Sequence, residues 1–325
     1  MKFSVIVPSY NSARTLPGCL KALLKQNIPK NDYEIIVVDD GSTDNTKSII
    51  KGFTDKNKNL RYIYQKNKGP AAARNLGARK SRGAILLFTD SDCIPERSWI
   101  SEMVKPFRNP KIVGVAGAYG KNLEKSVISR FIAYEIEDRY KKLKEEREID
   151  FIGTYAAAYR KREFLKTGGF DESFSTASGE DPALSFEMEK YGKLVFQPSA
   201  RVGHHHPNTL KKLLKQKYKT GYWRVALYRK YPKKIFKHSY TPKIFYLELA
   251  LLGVTCLLLL LSLIFWNKTL AYITLTSFIL TFLLTLPYSF KVKGDASVAL
   301  LSPFIILIRN FVMGCGVVIG FFRRF

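Results

Sequence analysis

The sequence predicts an α/β domain with a mostly parallel sheet, followed by an α-helical membrane domain. Strand-like apolar runs alternate with helix-like segments in the first part of the chain, which is the pattern of βαβ units. Acidic residues directly follow two of these runs, and ligands of open α/β sheets bind at that edge. From Phe245 onward the chain is largely apolar. The 325 residues leave room for one large or two modest domains.

Four short apolar runs in the first part of the chain predict buried strands. They are residues 2–7, 33–38, 61–65 and 84–88. The segments between them have apolar side chains three and four residues apart, or a proline in the first turn, and predict helices. These segments are residues 16–24, 44–53 and 70–78. Strands and helices that alternate in this way predict a mostly parallel sheet.

The following stretch mixes longer helices with short strands. The predicted helices are residues 99–107, 126–148 and 182–191, and the predicted strands are residues 112–119, 153–160, 194–197 and 200–202. His204, His205 and His206 follow the last strand. Alternate side chains of a strand point to opposite faces, so the three histidines cannot all face one site.

Carboxylates stand at the ends of the second and fourth predicted strands. Asp39 and Asp40 follow the second strand, and Asp90, Ser91 and Asp92 follow the fourth. The two loops are expected to meet at one sheet edge. Carboxylates one residue apart can hold a hard divalent cation together with substrate phosphate oxygens. Taken alone, the same pattern also fits a solvated turn.

The chain is strongly basic. Its 53 Lys and Arg against 27 Asp and Glu give a formal net charge of +26, which predicts a polyanionic partner. Residues 208–243 hold twelve of these cations and no acid, interleaved with aromatic side chains. Such a segment can bind nucleic acid or lie on anionic lipid. Because it runs directly into apolar segments, we predict contact with membrane lipids and no nucleic acid.

Three apolar segments close the chain, at residues 245–266, 270–290 and 296–322. The first two have the roughly 20 residues that a membrane-spanning helix needs. Pro303, Arg309 and Asn310 interrupt the third, which could span, break or re-enter. We therefore predict domains at residues 1–206 and 244–325, with a basic interfacial segment at 207–243.

The cysteines and the first residues also carry information about the compartment. The four cysteines are scattered and form no disulfide framework, which indicates a reducing compartment for the first domain. The first apolar run is too short for a signal peptide and ends at Pro8.

Several short motifs, taken in series, carry a family resemblance. They are VIVPSYN at residues 5–11, VVDDGS at 37–42, GPAAARN at 69–75, DSD at 90–92, GGFDE at 168–172 and ED at 180–181. In this order the sequence resembles a family 2 glycosyltransferase of the GT-A fold over residues 3–206. That family transfers a sugar from a nucleotide-diphosphate donor, generally with inversion. The Q-x-x-R-W motif of processive synthases is absent, because residues 219–224 read KTGYWR.

The resemblance implies a donor-binding set on the first loops. By this resemblance Tyr10 stacks on the nucleotide base and Asp39 hydrogen-bonds it, while Arg74 lies near the base or the diphosphate. The whole implied donor-binding set is Pro8, Ser9, Tyr10, Asn11, Asp39, Arg74, Asp90 and Ser91. The simpler alternatives are a turn role for Asp39 and a solvated helix face for Arg74.

The resemblance also implies metal and catalytic residues. Asp92, with Asp90 and a tentative His204, would hold Mg²⁺ or Mn²⁺ against the diphosphate. Asp181 is the implied general base, and Glu180 would orient the site or contact the acceptor. The alternative for this acidic pair is a capping role before the helix that follows.

Donor, acceptor and location follow as expectations. UDP is the family's commonest donor nucleotide, and GDP is the other choice. The acceptor is expected to be a hydroxyl of a lipid-linked saccharide or other glycan, with a polyprenyl phosphate as the alternative. A non-catalytic membrane-anchored nucleotide-sugar-binding protein is the rival from another class.

We expect a multi-pass protein of the cell membrane whose catalytic domain is cytoplasmic, because nucleotide sugars are made in the cytosol. Lys291 and Lys293 agree with the positive-inside rule. A third crossing would place Arg323 and Arg324 outside, so we favour a re-entrant third segment broken near Pro303 or Arg309.

Overall fold

The computed structural model describes residues 1–146, 148–174, 178–235 and 243–323. The chain divides into two compact units. The first unit comprises Met1–Leu123 and Ile136–His205, and the second comprises Glu124–Glu135 and His206–Phe325.

One eight-stranded sheet organises the first unit, in the order β3-β2-β1-β4-β7-β6-β8-β5. The strands are β1 Phe3–Ser9, β2 Tyr33–Asp40, β3 Leu60–Gln65, β4 Ile85–Phe88, β5 Cys93–Pro95, β6 Ile112–Asn122, β7 Ala157–Arg160 and β8 Lys193–His204. Strands β3, β2, β1 and β4 are parallel neighbours, and β6 is parallel to β8. Strand β7 is antiparallel to both β4 and β6, and β5 is antiparallel to β8. The predicted mostly parallel α/β sheet is confirmed.

In the described part of the chain, seven helices accompany this sheet. They are α1 Leu16–Leu23, α2 Thr46–Thr54, α3 Pro70–Lys80, α4 Trp99–Val104, α5 Val127–Glu145, α6 Lys161–Lys166 and α7 Glu180–Met188. Helix α5 begins in the second unit and ends in the first. The sequence reading missed the short elements β5 and α6, whose three and six residues are too few to show a period. Residues 154–156, predicted as strand, form a 3₁₀ turn before β7.

The core of the first unit lies on both faces of the sheet. The central strands are continuously apolar because they are covered on both sides. On one face, α3 packs directly on β1, since a Cβ at Gly77 would lie 2.5 Å from Cγ2 of Ile6. On the same face Phe88 meets Phe170 edge-on, with ring centroids 5.3 Å apart. This packing fixes α3, which begins at the carboxyl edge of the sheet, and β4, which ends there.

The second unit is helical apart from its connections. Its helices besides the start of α5 are α8 Leu210–Lys230, α9 Lys243–Phe265, α10 Lys268–Leu283, α11 Leu286–Lys291 and α12 Ala296–Phe322. Three stretches are long and apolar enough to cross a membrane: Ile244–Phe265, Lys268–Lys291 and Ala296–Phe322. The predicted break in the third segment is wrong, because α12 is one helix with Pro303 inside it. Residues 236–242 of the predicted basic segment and Arg324 lie outside the described residues.

Asp40 anchors the connection that leads into α3. Its Oδ1 accepts hydrogen bonds from Nε2 of Gln65 at 2.6 Å and from the main-chain N–H of Lys68 at 2.9 Å. Its Oδ2 accepts from the N–H of Gly69 at 2.9 Å, immediately before α3. Asp40 is buried, so its side chain has a structural role in this loop.

We expect Asp40→Ala to destabilise the protein by about 2–4 kcal/mol, because two main-chain N–H groups lose their partner at about 1–3 kcal/mol each. Thermal unfolding of the detergent-purified chain, followed by circular dichroism, measures the change. Asp55→Ala, at an exposed position after α2, is the matched control and should leave the midpoint unchanged. An equal midpoint for Asp40→Ala would show that other contacts hold the loop.

Candidate active site

The predicted carboxylate loops do meet at one edge of the sheet. Strand β1 lies between β2 and β4, and Ser9 is the register partner of Asp39. On the other side of β1, the N–H of Thr89 donates to the carbonyl of Ile6, one residue before Asp90. The β2 and β4 loops therefore flank the end of β1.

The end of β1 and the β2 loop form a polar recess. Asp39 is buried, and its carboxylate accepts from the N–H of Ser42 at 2.9 Å and from the hydroxyl of Tyr62 at 3.0 Å. Among the described residues, the buried Oγ of Ser9 has no hydrogen-bond partner. Tyr10, next along the chain, is 51% exposed. A buried hydroxyl without a partner beside an open aromatic ring is an arrangement that a polar, planar ligand can complete.

Asn11 and Pro8 shape this recess through the main chain. Asn11 has a positive φ of 49°, and its Oδ1 accepts from the N–H of Thr43 at 2.8 Å. Its own N–H donates to Oγ of Ser42 at 2.9 Å. Pro8 continues β1 in register with Val38. The loops after β1 and β2 are thus held to each other by their own polar groups.

Arg74 is the central cation of the edge. Its guanidinium donates from Nη2 to Oδ1 of Asp90 at 2.8 Å and from Nη1 to Oε1 of Glu180 at 2.9 Å. Only 3% of the Arg74 side chain is exposed. The two carboxylates raise the pKa of Arg74 against the opposing effect of burial, so the charge is retained. In this arrangement Arg74 joins the β4 loop to α7 and is engaged by carboxylates.

Glu180 is fully engaged by protein groups. Its Oε1 accepts from Arg74, and its Oε2 accepts from the N–H groups of Ser178 at 2.8 Å and Gly179 at 3.1 Å. The side chain is 2% exposed. These contacts favour the orienting role that was expected for Glu180 over direct contact with an acceptor.

Asp181 has one satisfied and one open oxygen. Oδ2 accepts from the N–H of Thr154 at 3.0 Å and from its Oγ1 at 3.2 Å. Oδ1 is buried and has no hydrogen-bond partner within the described part of the chain. Burial and the neighbouring carboxylate of Glu180 raise the pKa of Asp181 to about 7. A carboxyl group of this pKa can take up a proton near neutral pH.

Asp92 and His204 come together across two antiparallel strands. Cys93 of β5 is the register partner of His204 in β8, which places the preceding Asp92 beside the imidazole. Asp92 Oδ2 and His204 Nε2 are 3.5 Å apart. Burial acts to raise the pKa of Asp92, but the imidazole outweighs it and holds that pKa below the ordinary value. Sequence spacing could not show this pair, since 112 residues separate its members.

The donor set around Asp92 suits a hard divalent cation. Ligand atoms of Asp92, Cys93 and His204 all lie within 4.8 Å of one another. Burial raises the pKa of the Cys93 thiol well above its ordinary value, so it stays protonated and is a poor ligand. Carboxylate and imidazole are ligands that fit Mn²⁺, and carboxylate fits Mg²⁺. Asp90 lies on the same loop, with one oxygen held by Arg74.

Several residues of the site were missed by sequence reasoning. Ser12 shares a hydrogen bond of 2.8 Å with the predicted Ser91 and so fixes the β4 loop to the β1 loop. The rings of Tyr119 and Tyr155 stack at 3.7 Å, and the ring of Tyr119 is 5.0 Å from that of His204. Thr154 orients Asp181. None of these residues belongs to a local motif, so the sequence carries no signal for them.

Of the three consecutive histidines, His206 belongs to the second unit and not to the unit that holds this site.

Comparison with known proteins identifies the family. The family model described as Glycosyl transferase family 2 matches residues 4–168, which is half of the chain and includes the β1, β2 and β4 loops. The chain belongs to glycosyl transferase family 2. The predicted family and its GT-A fold are confirmed. The three apolar helical stretches described above follow the matched region.

Among curated relatives, the chain is 41% identical over 115 residues to glycosyltransferase AglE of Haloferax volcanii, covering 35% of this chain and 38% of AglE. It is 27% identical over 219 residues to a validoxylamine A glucosyltransferase of Streptomyces hygroscopicus, covering 58% of this chain and 51% of the relative. The chain thus spans about 38–51% of the length of these relatives.

One solved structure resembles this chain over a larger share of its length than these two relatives do. The mannosyltransferase PcManGT from Pyrobaculum calidifontis, in complex with GDP-Man and Mn²⁺, has a TM-score of 0.65 at 18% identity and covers 95% of this chain and 87% of its own. The structure of GalNAc-T7 with UDP, GalNAc and Mn²⁺ has a TM-score of 0.52 at 17% identity and covers 74% of this chain and 52% of its own. At these identities the likeness shows a shared fold.

The pKa of Asp181 gives a stability test. A carboxyl whose pKa is raised on folding costs no stability below its unfolded pKa, and the cost grows until the folded pKa is passed. For Asp181 the cost grows between pH 3.8 and about 7 and is constant above that. Asp181→Asn keeps an oxygen for Thr154 and carries no charge, so it should exceed the wild type in thermal midpoint at pH 8.5 and match it near pH 4. Asp55→Asn is the control. Equal thermal midpoints of the wild type and Asp181→Asn at pH 8.5 would contradict the raised pKa of Asp181.

Proposed function

We propose that this protein is a membrane-bound inverting glycosyltransferase. It would move a sugar from a nucleotide-diphosphate donor to a hydroxyl of a lipid-linked saccharide or other glycan. The observation that carries the proposal is Asp181, whose Oδ1 is buried without a partner and whose pKa lies at about 7. A carboxylate with these properties is suited to accept the proton of a sugar hydroxyl.

The donor would bind across the carboxyl edge of β1, β2 and β4. Tyr10 offers an exposed ring for stacking, and Ser9 and Asp39 offer polar groups beside it. The nucleotide is UDP or GDP, and the fold neighbours were solved with donors or products of both kinds. Asp90 and Ser91 would contact the diphosphate–ribose side, held in place by Arg74 and Ser12.

Asp92, with His204 and the remaining oxygen of Asp90, would hold Mg²⁺ or Mn²⁺. When bound, such an ion neutralises the negative charge that develops on the diphosphate leaving group. The proximity of Asp92 and His204 supports this assignment, as does the Mn²⁺ in both fold neighbours. Arg74 remains a positioning residue, because its guanidinium is engaged by Asp90 and Glu180.

The chain's own residues account for the proton step. The Oδ1 atom of Asp181 would receive the acceptor's hydroxyl hydrogen as the oxygen attacks the sugar. Thr154 holds Oδ2 with two hydrogen bonds and so fixes the direction of Oδ1. Glu180 keeps its charge paired with Arg74, while its nearby carboxylate helps to raise the basicity of Asp181. Near neutral pH, Asp181 can therefore alternate between its charged and neutral forms.

Two kinds of acceptor, a polyprenyl phosphate and a sugar hydroxyl, place different demands on the catalytic residues. A polyprenyl phosphate is already ionised near neutral pH and needs no base, whereas a sugar hydroxyl must lose a proton during attack. The raised pKa and open oxygen of Asp181 favour the hydroxyl. A non-catalytic nucleotide-sugar-binding protein would have no use for such a carboxyl group, which costs stability. Among the described residues, three helical stretches are long and apolar enough to cross a membrane, which supports a reaction at the membrane. The catalytic unit would lie on the cytosolic side, where nucleotide sugars are made.

The metal assignment predicts a selective loss of cation binding. Asp92→Asn should weaken Mn²⁺ binding by at least about tenfold, since loss of even an outer-shell partner of a metal site costs 10–100-fold. Paramagnetic resonance titration of free Mn²⁺ measures this independently of turnover. Transfer by the wild type should stop in EDTA and return with Mn²⁺ or Mg²⁺.

Asp32→Asn is the matched control. Within the described residues, the carboxylate of Asp32 forms an ion pair only with the exposed Lys2. Undiminished transfer in EDTA, or Mn²⁺ binding that Asp92→Asn leaves at the wild-type level, would refute the metal site.

The base assignment predicts that Asp181→Asn lowers transfer by about 10²–10⁴-fold, the usual contribution of a positioned base. Donor binding should persist, and the wild-type rate should rise with pH up to about 7. The assay uses UDP- and GDP-sugars with membrane lipid extract, and mass spectrometry identifies the product. Transfer within a few-fold of the wild type would reject Asp181 as base and favour the polyprenyl phosphate acceptor.

A further inference from the structure

The last helix of the chain, α12, lies alongside the basic helix α8. The contacts run in the same order along both helices: Leu213 is in one cluster with Ile305 and Ile306, Gly221 faces the carbonyl of Met313, and Arg229 donates to the carbonyl of Arg323 at 2.7 Å. A Cβ at Gly320 would lie 2.6 Å from the carbonyl oxygen of Tyr222, so the helices touch through their main chains. The two helices are therefore parallel neighbours over most of their length.

Helix α8 cannot lie inside the hydrocarbon of a membrane. It carries eight cations and no acid: Lys211, Lys212, Lys215, Lys217, Lys219, Arg224, Arg229 and Lys230. These cations are spread from its first turn to its last, with at most four residues between neighbours. Charged side chains at bilayer depth are strongly disfavoured, and basic helices lie at the headgroup level instead. Because α12 follows α8 along its length, α12 lies near the same level.

The hairpin of α9 and α10 gives an independent measure of depth. Oγ1 of Thr255 lies 2.7 Å from Oγ of Ser277, so α9 and α10 run side by side. They are joined at residues 266–267, which is the far end of the hairpin from Lys243. Helix α9 has the highest mean hydropathy of the three candidate spans among the described residues. We take its axis as the direction of crossing.

The middle of α12 meets the beginning of α9. Nδ2 of Asn310 donates to Oε2 of Glu248 at 2.8 Å, and a Cβ at Gly314 would lie 3.1 Å from Cδ1 of Leu249. Leu249 is six residues into α9, or about 9 Å from its start at 1.5 Å per residue. The middle of α12 therefore lies near the level at which α9 enters the membrane.

The length of α12 makes this contact decisive. From Asp295, which caps the helix, to Gly314 the helix rises about 28 Å. That is close to the roughly 30 Å of a bilayer's hydrocarbon core. If α12 crossed in parallel with the hairpin, Gly314 would lie near the far end of α9 rather than beside Leu249. Helix α12 therefore crosses the direction of α9 at a steep angle.

The two faces of α12 differ in the way that a helix at an interface requires. Its inner face holds Ser302, Arg309 and Asn310, and Arg309 is paired with Glu135 of α5. Its outer face is a stripe of exposed apolar side chains: Leu300, Leu301, Phe304, Ile308, Phe311, Val318, Ile319, Phe321 and Phe322. The inner face also carries apolar side chains such as Ile305 and Met313, but Ser302, Arg309 and Asn310 all lie on it and none lies on the outer stripe. A helix with this asymmetry can lie in the plane of the membrane, with its apolar stripe among the acyl chains.

We propose that α12 lies in the plane of the membrane, on the side that holds α8, and that only α9 and the α10–α11 stretch cross. The occupant of its apolar face is the boundary between lipid headgroups and acyl chains. This arrangement keeps Arg323 on the same side as α8, as the positive-inside rule requires. It is independent of the sugar, the metal and the acceptor of the transfer reaction.

Labelling from each side of the membrane tests the number of crossings. In a chain with Cys256→Ser and Cys315→Ser, single reporters Lys293→Cys, Arg323→Cys and Trp266→Cys are treated with a membrane-impermeant maleimide in intact cells and in inverted vesicles. Residues 293 and 323 flank α12, and the exposed residue 266 marks the far end of the hairpin. We expect 293 and 323 to react from one side and 266 from the other. Reaction of 323 together with 266 would overturn the proposal.

Depth measurement supplies the second readout. Nitroxide labels at Leu301, Ile308 and Ile319, all on the apolar stripe, should give equal depths by paramagnetic resonance power saturation. Labels at Leu247, Leu257 and Ile264 of α9 are the matched control and should give a shallow, a deep and a shallow value. A shallow–deep–shallow profile along α12 as well would show that it crosses.

Discussion

The buried guanidinium of Arg74 is the interaction on which the site depends. It joins Asp90, at the end of a central strand, to Glu180, at the start of α7, although 90 residues separate these two carboxylates. A buried cation with two anionic partners is stable only as a set, since removing one partner leaves an uncompensated charge. The set fixes the β4 loop relative to the start of α7, and so relative to Asp181. The negative charge of Glu180 also acts on its neighbour, so the same contact sets both the geometry and the basicity of Asp181.

Most of the fold of the first unit could be predicted from the sequence, because its central strands are apolar on both faces and end in polar loops. The β2 and β4 loops were placed correctly at one edge for the same reason. The pairing of Arg74 with Glu180 could not be predicted, because it is a tertiary contact across the sheet. The grouping of His204 with Asp92 came from the family resemblance and not from sequence spacing. The stacked Tyr119 and Tyr155 were missed because, in a sequence, an aromatic residue of a strand or turn cannot be told from one in the hydrophobic core. The roles of the individual site residues stay predictions.

The third apolar segment shows a different limit of sequence reasoning. Hydropathy describes α12 as a crossing helix, with a mean of 2.1, because the scale averages all faces of the helix. It does not record that a helix with eight cations lies along one of those faces. Pro303 did not break the helix either: proline removes one main-chain hydrogen bond, and the surrounding turns of α12 continue across it. Arg309 and Asn310 were the signal that led us to expect a segment that does not cross, and the glycines that permit the close approach of α8 are a second one.

The pKa of Asp181 sets activity and stability against each other as the acidity of the compartment changes. Near neutral pH Asp181 exchanges between a neutral form, which suits its buried position, and a charged form, which alone can accept a proton. If Asp181 is the base of the proposed reaction, acidification would slow that reaction while making the protein more stable, and the loss would reverse without refolding. Alkaline conditions would do the opposite, with more molecules in the base form and a less stable fold.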